Sequence, residues 1–203
     1  MDASAWDERY RQSDLVWGAP PNPVVVEYVT SLPHGSAVDV GCGEGRNAIW
    51  LATRGWETTG IDFSQVALDK AAQIVADHPR PVRERLHWVC DDLLAADLGT
   101  GRDLILIVFI HLPAEQRRTL LDRAVAALRP GGTLLMLGHH SRNLHEGVGG
   151  PPDAQILFTP QDVVADLGGA DDSVAMEIVV AKDHLRETEA GTAIDALVVA
   201  RRR

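Results

Sequence analysis

The sequence predicts a doubly wound α/β fold on a mostly parallel sheet, with helices on both faces, and three observations carry that prediction. From Ser36 onward, short β-branched runs alternate with stretches of helical period, the pattern of successive βαβ units. The first run ends in a glycine-rich turn, Gly41-Cys42-Gly43-Glu44-Gly45, that opens directly into a helix. The last two apolar-polar runs have a short connection, which suggests an antiparallel pair closing the sheet. The 203 residues suit one domain over 1–203, enough to bury a sheet on both faces.

Before the first strand, two helical stretches over 3–12 and 23–32 form an N-terminal helical segment, 1–32. Strands follow over 36–40, 57–61, 86–90, 103–110 and 133–138. The helix after the glycine turn covers 46–54. Ser64 can cap the next helix, whose Leu68, Ala71, Ala72 and Val75 recur at one-face spacing, with Phe63 and Leu68 placed as a hydrophobic staple. Between the fourth and fifth strands, Leu121, Ala124, Val125 and Leu128 make an inward stripe that Pro130-Gly131-Gly132 stops. The alternation then fails over 139–159, a Gly-, Pro-, His- and Asn-rich loop too long for a simple turn and so read as functional. A short helix over 160–167 and strands over 174–181 and 193–200 complete the chain.

Composition excludes several partners. A net charge of -10 with no basic stripe would repel a phosphate backbone, so nucleic acid is not expected as substrate. No apolar run is long enough to span a membrane, and the first residues lack the basic and apolar regions of a secretory signal, so the expectation is a soluble, cytoplasmic protein. Cys42 and Cys90 read as small packing residues rather than a disulfide, and Arg201, Arg202 and Arg203 as a solvated end after the last strand. The oligomeric state is left open.

The chemistry concentrates at strand ends. In Val38-Asp39-Val40-Gly41-Cys42-Gly43-Glu44-Gly45 the glycines allow close backbone approach, and the helix start offers N–H donors to a carboxylate. A dinucleotide turn would carry a third glycine where Arg46 stands, so G-x-G-x-G argues against a pyrophosphate. Asp62 ends the second strand, where an acid can accept from ribose hydroxyls, and Phe63 can pack on an adenine face. Asp91-Asp92-Leu93 ends the third, placing a carboxylate and an N–H where an adenine edge could be read. Each acid alone reads as a cap or surface charge; three in order at successive strand ends read as one site.

These stretches resemble the motifs of the class I S-adenosylmethionine-dependent methyltransferases, and the likeness covers nearly the whole chain. It implies a Rossmann-like seven-stranded sheet with the last strand antiparallel beside the fifth. It implies S-adenosylmethionine as cofactor and S-adenosylhomocysteine as product. Gly41, Gly43 and Gly45 would then meet the methionine end, Asp39 its amino group and Asp62 the ribose, with Asp92 favoured over Asp91 for adenine. Asp103 to Leu112 and Leu128 to Leu134 resemble later family motifs. Trp6-Asp7-Glu8-Arg9-Tyr10, with Trp17, Pro21 and Asn22, resembles the small thiopurine and tellurite-resistance branch, in which this region is a lid; Tyr10 and Trp17 are equally readable as core aromatics.

Methyl transfer from a sulfonium releases a neutral leaving group, so positioning dominates. A thiolate acceptor needs little else, whereas a hydroxyl needs a base. His111, His139 and His140 follow the fourth and fifth strands, and His145 and Glu146 lie in the long loop, near the strand ends where open α/β folds bind ligands. The expectation is O-methylation of a small-molecule hydroxyl, a sugar among the candidates, with one of these histidines as base. The alternatives are thiol or chalcogen methylation, an NAD-dependent oxidoreductase and a non-catalytic S-adenosylmethionine-binding protein. No Tyr-x-x-x-Lys pair supports the oxidoreductase, and the His139, His140, His145, Glu146, Asp153 spacing matches no metal motif, so no metal is expected.

Overall fold

The computed structural model describes residues 3–168 and 176–203. Its strands stand in the order β3-β2-β1-β4-β5-β7-β6 in a seven-stranded sheet, and its packing divides into two units, Met1–Asp97 and Leu98–Arg203.

The first unit carries the parallel strands β1 (Ser36–Val40), β2 (Glu57–Asp62) and β3 (Leu86–Cys90). Val38, Val40 and Ile61 are fully buried, as strands covered on both faces require. Helix α3 (Arg46–Thr53) follows β1 and packs Ala48, Ile49 and Ala52 against Val75 and Leu86. Helix α4 (Gln65–Ala76) starts at Ser64, whose hydroxyl accepts the Ala67 N–H at 3.2 Å; Leu68, Ala71 and Val75 face inward as expected, but Ala72 is exposed. The sequence did not announce α5 (Arg80–Glu84). At the N-terminus stand α1 (Ala3–Arg11) and α2 (Pro23–Val29), the latter capped by Asn22.

The second unit carries β4 (Arg102–Val108), β5 (Leu128–His139), β6 (Met176–Thr188) and β7 (Gly191–Arg202). β4 and β5 are parallel, β5–β7 and β7–β6 antiparallel, which is the closing arrangement expected. β4 stops short of Ile110 because Phe109 takes a left-handed φ of 59°, which ends an extended chain. β5 starts at Leu128, before the Pro-Gly-Gly turn, with a register shift against β4 between Arg102 and Leu104. The expected strand from Val174 begins outside the described residues; within them β6 and β7 extend well beyond the expected limits, leaving Glu189 and Ala190 as the hairpin turn. A register shift between Ile178 and Val180 interrupts their ladder.

Helix α6 (Ala114–Ala127) buries Leu120, Leu121, Ala124 and Ala127, and α7 (Pro160–Leu167) opens with a Thr159–Asp162 capping box. Arg202 is no solvated end: it lies in β7 and its Nη1 donates to the carbonyls of Val125, Ala126 and Leu128 at the end of α6. Cys42 is buried, but Cys90 is exposed rather than packed; both are free. No described helix is long and apolar enough to cross a membrane.

Candidate active site

The glycine turn after β1 is shaped by what it must admit. Gly43 holds φ +54°, and a Cβ there would lie 2.7 Å from the Tyr10 hydroxyl; Gly45 holds φ +78°, and a Cβ there would lie 2.6 Å from the Trp88 ring. Left-handed backbone and absent space both demand glycine. Gly45 caps α3 with backbone alone, and the side chain that reaches the helix start comes from Asp39 on β1.

Three carboxylates are buried around this turn: Asp39, Glu44 and Asp62. Asp39 accepts the Ala48 N–H at 3.1 Å, and burial pushes its carboxyl up to about 7. Asp62 accepts the Gly43 N–H at 2.8 Å and the Ser64 N–H at 2.9 Å, tying the turn to β2; burial still pushes its carboxyl above the usual range. Desolvating carboxylates is unfavourable unless a cation compensates. S-adenosylmethionine brings two cations, a sulfonium and an ammonium, and this donor set fits it. Phe63 is half-buried, Asp91 and Asp92 are exposed beside half-buried Leu93, and Asp91 N–H donates to the Asp62 carbonyl at 3.1 Å, which sets the ends of β2 and β3 side by side.

The N-terminal segment lies against the turn. Tyr10 is buried, its hydroxyl accepts the Trp17 indole N–H at 3.2 Å, and burial pushes its phenol up. Trp17 itself is 42% exposed. Trp6 and Arg9 complete the cluster, with the Arg9 guanidinium 5.0 Å from both indole rings. Sequence reasoning missed the fastener. Glu44 Oε2 accepts the backbone N–H groups of Val16 at 2.9 Å and Trp17 at 3.4 Å, and Glu44 Oε1 meets Lys70 at 3.3 Å. Lys70 also donates to the carbonyls of Tyr10, Ser13 and Asp14. An acid inside a glycine turn was the only sequence signal.

In the second unit, the histidines take distinct duties. His140 is buried; its Nδ1 accepts the Arg142 N–H at 2.9 Å, capping the 3-10 turn Ser141–Leu144, and its Nε2 faces Asp183 at 3.4 Å. His111 Nε2 accepts the His139 N–H at 2.9 Å, and burial, assisted by the neighbouring His139, lowers its pKa to about 4. His111 is therefore neutral with its acceptor nitrogen already used. His139 differs: its ring stacks on His111 at 5.2 Å, meets Phe109 at 4.9 Å, and turns Nδ1 to within 3.4 Å of Asp195 Oδ1. His145 and Glu146 are exposed; Glu146 pairs with Arg142 at 2.6 Å, and Arg142 also reaches Asp183. The 139–159 loop is well anchored, Asn143 exchanging two 2.8 Å hydrogen bonds with the Ile194 backbone.

A methyltransferase-domain family model matches residues 37–132, from β1 through the turn before the buried part of β5. The chain is a class I methyltransferase. Thiocyanate methyltransferase 1 of Brassica oleracea is 28% identical to this methyltransferase over 173 residues, which are 83% of this chain and 74% of that protein. Among solved structures, the N-methyltransferase NodS of Bradyrhizobium japonicum, in complex with S-adenosylhomocysteine, aligns over 99% of each chain at a TM-score of 0.74 and 19% identity. TehB of Haemophilus influenzae aligns at a TM-score of 0.73 and 18% identity, over 93% of this chain and 64% of its own. The methyltransferase thus uses S-adenosylmethionine as its cofactor on a fold these enzymes share.

Proposed function

We propose that this methyltransferase passes the methyl group of S-adenosylmethionine to a small sulfur nucleophile, a thiocyanate-like anion or a thiol. The observation that carries the reading is the likeness to a thiocyanate methyltransferase along most of the chain. Bound S-adenosylmethionine supplies an electrophilic methyl on a sulfonium that departs neutral. The chain's contribution is to hold and desolvate. Asp39 and Asp62 balance the cofactor's positive charge and position its methionine and ribose ends, the glycine turn lets the backbone approach, and the Tyr10–Trp17 segment excludes water. Placing reactants in line is the largest gain available to such a displacement. A soft sulfur anion asks for little more, which agrees with two of the three candidate histidines having committed ring nitrogens.

Oxygen methylation is the second reading, favoured by His139 beside the buried Asp195, an arrangement able to take a proton. Adenosylhomocysteine release, measured against thiocyanate, hydrosulfide, 2-mercaptoethanol, a catechol and a monosaccharide, separates them. Turnover with the sulfur acceptors is expected, and turnover with the hydroxyl compounds alone would reject the proposal.

A further inference from the structure

Trp6, Arg9 and Tyr10 lie at i, i+3 and i+4 of α1, so one face of that helix presents them together. Trp17 joins the group from the loop that follows, its ring 6.1 Å from that of Trp6 at an angle of 45°. Its position is fixed by its own polar atoms. The backbone N–H donates to Glu44 at 3.4 Å, the indole N–H donates to the Tyr10 hydroxyl at 3.2 Å, and the carbonyl accepts from Arg46 at 3.2 Å. The two indoles therefore stand at a set opening, and the Arg9 guanidinium occupies it, 5.0 Å from each ring. Aromatic faces attract a cation without neutralising it.

The acids nearest Arg9 in sequence serve other groups. Asp7 accepts the Ser64 hydroxyl at 2.5 Å and faces Arg11 at 3.8 Å, while Glu8 faces Arg11 at 3.6 Å and accepts from Gln12 at 3.2 Å. Among the described residues, no group accepts a hydrogen bond from the exposed Arg9 side chain. Its planar face rests on indole while its N–H edge stays open, in a chain where acids outnumber bases by ten charges. The same indole borders the glycine turn: Trp17 Cδ1 lies 3.6 Å, and the Tyr10 hydroxyl 2.7 Å, from where a Cβ on Gly43 would stand. All of these residues belong to the first unit.

We propose that Arg9, carried between Trp6 and Trp17, is the specificity-determining residue that receives an anionic acceptor of thiocyanate-like chemistry. The inference rests on the sulfur-acceptor reading above and deepens it by naming the charge the acceptor brings. A guanidinium gives up water more readily than an ammonium, which suits a soft, delocalised anion. Its N–H edge donates charge-assisted hydrogen bonds to the anion, and the Trp17 ring beside it supplies a polarisable wall. Glu44 is matched by Lys70, and Asp39 and Asp62 are offset by the two cations of the cofactor when it is bound. Arg9 is then the charge that an arriving anion meets in a protein whose net charge of -10 repels it elsewhere.

Thiocyanate and 2-mercaptoethanol supply the test, because the first is an anion and the second a thiol mostly protonated near neutral pH. In Arg9→Gln, KM for thiocyanate should rise about tenfold with kcat near wild type, while KM for 2-mercaptoethanol and adenosylhomocysteine affinity stay within about twofold. Arg9→Lys should fall between wild type and Arg9→Gln, and Arg9→Glu beyond both. Wild-type KM for thiocyanate should climb with added chloride, since an exposed charge is screened by salt. Calorimetry needs no turnover: thiocyanate titrated into enzyme loaded with adenosylhomocysteine should bind more weakly in the same order of variants. An unchanged thiocyanate KM in Arg9→Gln, or equal losses on both acceptors, would overturn the proposal and leave the proposed function standing. Wild-type enzyme that methylates thiols but not thiocyanate would do the same. Wild-type enzyme inactive on every sulfur acceptor would reject the function and this inference with it.

Discussion

Glu44→Gln tests whether the N-terminal segment is fastened by one buried carboxylate. In the native protein that group accepts the Val16 and Trp17 N–H groups and pairs with Lys70, with its side chain only 3% exposed. Glutamine keeps the shape and one acceptor but removes the charge. Hydrogen bonds to charged groups contribute about 1.5–3 kcal/mol against about 1 for neutral ones, so two weakened bonds cost about 1–3 kcal/mol. The lost ion pair adds less than a fully buried one, because Lys70 is 21% exposed and keeps its three carbonyl acceptors. A net loss of about 2 kcal/mol translates to a drop of about 4–8 °C in melting temperature for a chain of this size. Calorimetry reads the stability, and the rate of tryptic cleavage at exposed Arg11 reads the opening. A melting temperature within about 1 °C of wild type, with unchanged cleavage, would refute the fastening.

Other expectations follow from the same site. Asp39, with its folded pKa raised from an ordinary value near 4 to about 7, binds more protons folded than unfolded in that interval, so it makes the cofactor-free protein less stable as pH rises through that window. Asp39→Asn should therefore melt higher than wild type at pH 8 while binding S-adenosylmethionine more weakly, and calorimetry of both checks it. Binding the cationic cofactor should also release up to one proton near pH 6.5, seen as a dependence of binding enthalpy on buffer ionisation heat. Asp62→Ala removes the acceptor of the Gly43 and Ser64 N–H groups along with the proposed ribose contact, and adenosylhomocysteine affinity should fall at least tenfold by titration calorimetry. Gly43→Ala combines left-handed strain of about 1–2 kcal/mol with a clash against the Tyr10 hydroxyl, so affinity should fall while far-ultraviolet circular dichroism stays native.

The parts of this enzyme legible in sequence are those where one local stretch does the whole job. Val38 to Gly45 announces strand, turn and helix together, and its glycines are required by φ values that no neighbour sets. Ser64 announces its helix because a cap acts within four residues. The second unit is different. Lys182, Asp183, His184, Arg186 and Glu187 read as a polar connection, yet they lie in β6, because an outer strand tolerates charge and needs no apolar alternation. Asp195 sits between Ile194 and Ala196 as a lone acid in an apolar run, and only the ladder shows that Arg186 reaches it. His139 and His140 are adjacent in sequence and point to opposite uses, one a cap and one a confined ring, a difference that alternation along a strand end produces and residue type does not.

The interruption in the β6–β7 ladder carries a consequence for behaviour at high concentration. β6 is the outermost strand in the order, and it exposes Ile178, Val179 and Leu185. A long, flat, apolar margin of this sort is a template on which further chains can stack. The shift between Ile178 and Val180 throws Val179 out of register, to 58% exposure, and bends the strand where its apolar content is greatest. Deleting Val179 would straighten that margin and bring a greasy, regular ribbon to the surface. Light scattering should then show growing particles despite a net charge of -10, which opposes such stacking.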